Sequence, residues 1–167
     1  MSFILSVADL NRDTVRLIEE GKASLAKEML DRFLKSNLLS SPSDYLTINS
    51  FQNTAGYLAV FEFQAKSGDF SSARQSLMSA LSSICLIDDN RESVRDKLWM
   101  LYNEIACCAY LVEYFKTYDF YIEKAKLAAI NIAEISNANT SLKQIFMEIA
   151  HAQNKVGDRE GSIRTKL

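Results

Sequence analysis

Turn formers are nearly absent from this chain: its 167 residues include 1 Pro and 5 Gly, although those two types usually make up roughly 12% of a globular protein. Sheets need a tight reversal every few residues, and Gly and Pro supply most of them. A chain this poor in both is expected to be all-α, with long helices and few connections. Hydrophobic residues at 48% and charged residues at 24% fit a globular composition rather than a disordered or membrane-embedded one. The length suits a single domain over residues 1–167 that buries roughly 70% of its unfolded surface, so no disulfide or metal is needed to hold it.

Charge narrows the partners. Nineteen Lys and Arg against 21 Asp and Glu give a net charge of -2, which offers no positive surface for a phosphate backbone, and nucleic acid is not expected. The first residues, Met1 to Asp9, place no basic residue before their short apolar patch. A signal peptide or spanning helix is therefore not expected, nor a membrane partner, and the cytoplasm is the expected compartment. Cys85, Cys107 and Cys108 are odd in number, without zinc-site spacing and in apolar surroundings, and read as buried thiols in a reducing compartment.

Apolar residues recur at helical spacing along the chain. Val7, Leu10, Thr14, Leu17 and Ile18 form one stripe, and Leu25, Met29, Leu30 and Phe33 a second after Gly21. Ser41-Pro42-Ser43-Asp44 is a start signal, with Ser41 as cap, Pro42 in the first turn and Asp44 completing a capping box. The helix it opens runs through Ile48, Phe51, Leu58 and Phe61 to Gly68-Asp69, where the next begins with Phe70, Ala73 and Leu77. Asp89, with Glu92 three residues on, is expected to cap one long helix through Trp99, Tyr102, Ile105 and Val112. A break is placed near Thr117-Tyr118-Asp119, and Ile122 to Ile132 resume the pattern. A further helix after Asn137-Ala138-Asn139-Thr140 carries Leu142, Ile145, Phe146 and Ile149 and ends at Gly157-Asp158. Paired in order, these make hairpins over 3–37, 41–86, 89–135 and 139–167.

Three junctions are alike: Gly21-Lys22-Ala23-Ser24-Leu25-Ala26, Gly68-Asp69-Phe70-Ser71-Ser72-Ala73 and Gly157-Asp158-Arg159-Glu160-Gly161-Ser162. In each, Gly ends one helix, and a small residue five positions later lets the next pack closely. This pattern resembles the tetratricopeptide repeat, most closely at Ala65 to Ala73 followed by Ala80-Leu81. Another helical-hairpin solenoid is the alternative. Gly21 and Gly68 stand 47 residues apart, against about 34 for that family, so the first helix of each hairpin is expected to be long. The third unit carries Tyr118 where the family has Gly. The resemblance implies an all-α, TPR-like α-solenoid of about seven to eight helices.

It also implies that the first helix of each hairpin lines a groove for a partner segment. The groove positions fall on Ala55, Leu58, Ala59, Glu62 and Lys66 in the second unit, and on Gln144, Met147, Glu148, His151, Asn154 and Lys155 in the last. The clamp by which some family members hold a C-terminal carboxylate needs polar residues where Leu58 and Glu62 stand, so recognition of chaperone tails is not implied. An ordinary solvated face is the alternative reading of these positions.

Residues with catalytic or metal-binding potential are sparse. Glu148-Ile149-Ala150-His151 has the Glu-x-x-His spacing of di-iron bundles, but such a site needs two of these motifs and the chain has 1 His. No Gly-x-Ser-x-Gly, phosphate loop or dinucleotide fingerprint occurs. Adjacent Cys107 and Cys108 point about 100° apart on a helix and read as packing residues. The aromatic cluster Trp99, Tyr102, Tyr110, Tyr114, Phe115, Tyr118, Phe120 and Tyr121 is expected to be core, with a ligand pocket around Tyr110 and Tyr114 as the alternative. No enzyme activity, cofactor or metal is expected. The expected function is an adaptor or chaperone-like scaffold that binds a protein or peptide partner on a helical groove. A subunit that forms a homodimer or larger assembly through an exposed terminal helix face is the alternative, since the segment from Arg159 is short.

Overall fold

The computed structural model describes residues 7–39, 44–136 and 139–166, and every regular element among them is an α-helix. The chain divides into two compact units, Met1–Arg91 and Glu92–Leu167.

In the first unit, α1 (Val7–Glu19) packs on α2 (Ala23–Leu38) and on α3 (Asp44–Lys66), α2 packs on α3, and α3 packs along α4 (Phe70–Ile84). The last two run antiparallel: Ser76 Oγ donates to Gln64 Oε1 near the turn (2.6 Å), and Ser83 Oγ donates to the Ser50 carbonyl far from it (3.1 Å). Ala26, Leu30, Tyr57, Phe61, Ala73, Leu77 and Ala80 are fully buried, and each large apolar side chain so removed from water contributes roughly 1.5–3 kcal/mol. Gly56 is set by packing, because a Cβ there would lie 2.7 Å from Leu30 Cδ2. On α2 the inward face is Ala23, Ala26, Leu30 and Asn37, and Leu25 lies outside it at 50% exposure. One residue from Ala26 is 100° around the helix, so Leu25 cannot share that face. The start signal at Ser41, Pro42 and Ser43 lies outside the described residues. Asp69 caps α4 by accepting the Ser72 N–H (3.1 Å), and hydrogen bonds from the Ser72 side chain and backbone hold its carboxyl below the usual value.

In the second unit, α5 (Glu92–Arg95) and α6 (Leu98–Leu111) replace the single long helix expected after Asp89. The chain tightens at the break, where the Lys97 N–H bonds the Val94 carbonyl three residues back (2.9 Å). The apolar residues on both sides of it, Val94 and Leu98, are buried. Asp88 rather than Asp89 ties the preceding turn, accepting the Asn90 N–H and Arg91 Nε at 3.1 Å each. The third element, α7 (Phe115–Ser136), packs along α6. It is followed by α8 (Asn139–Val156), packed on α6 and α7, and by α9 (Arg159–Thr165), packed on α8. The described residues therefore form nine helices, the additional ones being the short α5 and α9.

The α6–α7 reversal falls at Val112-Glu113-Tyr114, so Thr117, Tyr118 and Asp119 lie inside α7. Glu113 adopts φ 64°, the left-handed conformation that Gly21, Gly68 and Gly157 adopt at the other turns. All four turns close by the same pair of backbone bonds, in which the left-handed residue's N–H reaches three residues back and the next N–H reaches five. The pairs are Gly21 to Ile18 and Lys22 to Leu17, Gly68 to Ala65 and Asp69 to Gln64, Glu113 to Tyr110 and Tyr114 to Ala109, and Gly157 to Asn154 and Asp158 to Gln153. Glu113 carries a left-handed strain of about 1–2 kcal/mol that Gly avoids.

Of the three thiols expected to be buried, one is. Cys108 is buried, Cys107 is half-buried and Cys85 is exposed, and none of the three is in a disulfide. Cys85 follows α4 outside its buried face of Ser76, Leu77, Ala80, Ser83 and Ile84, and its Sγ donates to the Leu81 carbonyl (3.2 Å). No helix of the described residues is long and apolar enough to cross a membrane.

Candidate interaction surface

The outward face of α8 is the most extended surface among the positions singled out by sequence. Gln144, Met147, Glu148, His151, Asn154 and Lys155 are all exposed, and their spacing places them on one side of the helix. The opposite side buries Ile145, Phe146, Ile149, Ala150 and Gln153. Met147, 48% exposed, is an apolar contact point within a polar surround. Glu148 and His151 face solvent, and no group of three or more His, Cys, Asp or Glu among the described residues is placed to hold a metal ion.

On α3 the set is divided. Glu62 and Lys66 are exposed and Ala55 and Ala59 half-buried, but Leu58 is fully buried. Leu58 packs in the core of the first unit and presents no surface to a partner. The α3 and α8 positions belong to different units, so each set is a surface of its own unit.

The aromatic residues fill space with one another. The Tyr110 ring stands edge-on to Phe115 (centroids 5.2 Å) and Tyr118 (4.9 Å). Tyr102 tilts against Tyr121, and Lys124 Nζ sits over the Tyr102 and Phe120 rings at 5.1 and 5.5 Å. Trp99, Tyr102, Tyr118 and Tyr121 are buried, Tyr110 and Tyr114 half-buried, and Phe115 and Phe120 about half exposed. The core reading thus holds for four of the eight.

One feature had no forecast. A cleft of about 270 Å³ opens among α7, α8 and α9, lined by Tyr118, Ile122, Lys126, Gln153, Asp158 and Arg164, among others. A chain of hydrogen bonds forms its inner wall. The Tyr118 hydroxyl donates to Asp158 Oδ2, Gln153 Nε2 donates to the Tyr118 oxygen (3.2 Å), and Thr165 Oγ1 donates to Gln153 Oε1 (2.5 Å). Asp158 Oδ1 also accepts the Gly161 N–H (2.9 Å) and so caps α9. Burial, and then the bond to Asp158, push the Tyr118 hydroxyl well above the usual tyrosine pKa. At Gly161 a Cβ would collide with the Asp158 carboxylate and Gln153 Nε2, so only glycine leaves this wall intact. The sequence signal was present in Gln153-x-x-x-Gly157-Asp158, which repeats Gln64-x-x-x-Gly68-Asp69. In both, the Gln oxygen accepts a hydroxyl twelve residues on, from Ser76 or Thr165.

Comparison with protein-family models, curated proteins and solved structures finds no match.

Proposed function

We propose that the chain is a non-enzymatic protein–protein interaction module, an adaptor or chaperone-like scaffold, built as a divergent tetratricopeptide-like array of helical hairpins. The recurrence of one turn at Gly21, Gly68, Glu113 and Gly157 supports the hairpin reading. These turns lie 47, 45 and 44 residues apart, within the range of helical-repeat periods. The observation that carries the binding reading is the exposed side of α8. A partner segment laid along it meets Met147 as an apolar anchor, with Glu148 and Lys155 fixing its orientation by charge. Glu62 and Lys66 make up the corresponding surface on α3.

The test is affinity capture by the intact chain beside a Glu148→Lys, Lys155→Glu double variant, with helicity followed by circular dichroism. Retention that falls at least about tenfold in a variant of unchanged helicity is the expected result. Equal retention by both proteins places binding away from α8.

Self-assembly is a second reading, favoured by Phe120 and Leu127, which lie two turns apart on α7 and are 56% and 58% exposed. A mass in solution that rises with concentration and drops to one chain in Phe120→Glu, Leu127→Glu would support it.

A further inference from the structure

Within the first unit, two buried side-chain hydrogen bonds join α3 to α4, while a buried side chain that α3 turns toward α2 is only half answered. Against α4, Ser83 Oγ donates to the Ser50 carbonyl and Ser76 Oγ to Gln64 Oε1. Asn53 faces that helix, since its Nδ2 donates to the Leu30 carbonyl (3.2 Å), yet its Oδ1 has no partner among the described residues. Neither has Ser50 Oγ, one turn earlier on α3, nor Asn37 Nδ2 on α2. All three residues are at most 5% exposed, so water is excluded as well. A buried polar atom without a partner loses its hydration and gains nothing in return.

One strong tie crosses this seam. The Tyr57 hydroxyl donates to Asp31 Oδ1 (2.6 Å), while Lys27 holds Asp31 Oδ2 (3.0 Å). Asp31 is itself 38% exposed, so water competes for that carboxylate, whereas the Ser76–Gln64 and Ser83–Ser50 bonds between α3 and α4 are buried.

We propose that the side of α3 covered by α1 and α2 is an opening line, along which those two helices leave together as one flap while α3 and α4 stay folded. Opening gives water to Asn53, and so returns part of the free energy lost by exposing Ala26 and Leu30. Parting α3 from α4 breaks two buried hydrogen bonds. The opened unit bares Asn53, Gly56 and Tyr57, a strip of α3 with its own donors and acceptors that is hidden when the flap is shut. This device is independent of the α8 surface.

Native-state hydrogen exchange of the full chain, read by mass spectrometry in low denaturant, tests it. Peptides from α1 and α2 are expected to exchange about tenfold or more faster than peptides from α3 and α4. Asn53→Leu removes the unanswered oxygen together with the bond to the Leu30 carbonyl, and its net effect is expected to slow the α1–α2 peptides alone, by about threefold. Tyr57→Phe keeps the ring and deletes the tie together with the hydroxyl's bond to Ser79 of α4, and is expected to speed the α1–α2 peptides more than those of α3 and α4 even if Asn53→Leu does not fold. Exchange of all four helices in step, in the wild type and in Tyr57→Phe, would overturn the proposal, because the unit would then open only as a whole.

Discussion

The Tyr118 hydroxyl donates to the Asp158 carboxylate and thereby fastens α7 to the turn that starts α9. The same carboxylate caps α9 through the Gly161 N–H, so one side chain closes a helix end and joins two elements. Replacing Tyr118 with Phe leaves Asp158 Oδ2 and Gln153 Nε2 without their partner in the wall of the cleft. The variant is expected to lose about 1.5–3 kcal/mol, read as a lower urea midpoint at unchanged slope. A loss below about 0.5 kcal/mol would mean that water replaces the hydroxyl at no cost.

Gly161 is the companion prediction. Alanine normally favours a helix by about 1 kcal/mol over glycine, but a Cβ here meets Asp158 and Gln153. Gly161→Ala is expected to destabilise by about 1–3 kcal/mol, while the same exchange at a solvated helix position would stabilise. In a double-mutant cycle with Tyr118→Phe the two losses should add to less than their sum, since both break the same wall.

Glu113 offers the opposite sign. Its φ of 64° is one that glycine adopts freely. Glu113→Gly is expected to stabilise by about 0.5–1 kcal/mol, the relief of strain exceeding the added freedom of the unfolded chain. Thermal unfolding would show a midpoint raised by a few degrees, about 2–4 °C, whereas Glu113→Ala should gain nothing.

Alkali should unfold the chain through two tyrosines. Burial, and then the bond from each to a carboxylate, raise the hydroxyls of Tyr57 and Tyr118 above the ordinary value, which is about 10. Below that pH both the folded and the unfolded states hold these protons, and stability does not depend on them. Above it the unfolded chain releases protons that the folded chain retains, so stability falls as pH rises. The urea midpoint is expected to start dropping at about pH 10 and to go on falling as pH rises further, and to drop less in the Tyr57→Phe, Tyr118→Phe double variant. An equal drop in both proteins would assign the loss to other groups.

Where a reversal depends on glycine or a capping aspartate, sequence located it: Gly21, Gly68 and Gly157 stand at left-handed turns, and Asp69 and Asp158 cap α4 and α9. Glu113 escaped because a left-handed glutamate is held by backbone bonds and has no compositional signature. The break between α5 and α6 escaped because Asp96 and Lys97 are ordinary helix residues, and the tightening there keeps Val94 and Leu98 buried. On α8 the helical period separated inside from outside at every position singled out, since only one side of that helix is covered. On α3, which has α2 and α4 packed on it, the same counting put Leu58 at the surface. The cleft needed contacts 40 residues apart, Tyr118 to Asp158, which no local pattern carries.

The Gln64–Ser76 and Gln153–Thr165 bonds span a fixed count of four residues before the turn glycine and eight after it. They act as a ruler for helix slippage. A shift of one residue moves a helix about 1.5 Å along its neighbour and turns the hydroxyl about 100° away, which no glutamine rotamer can follow. A residue inserted into either turn would therefore leave the glycine's geometry available and still misalign the pair. Length variation in this fold should then be tolerated in the connections between one helix pair and the next, and refused at Gly68-Asp69 and Gly157-Asp158.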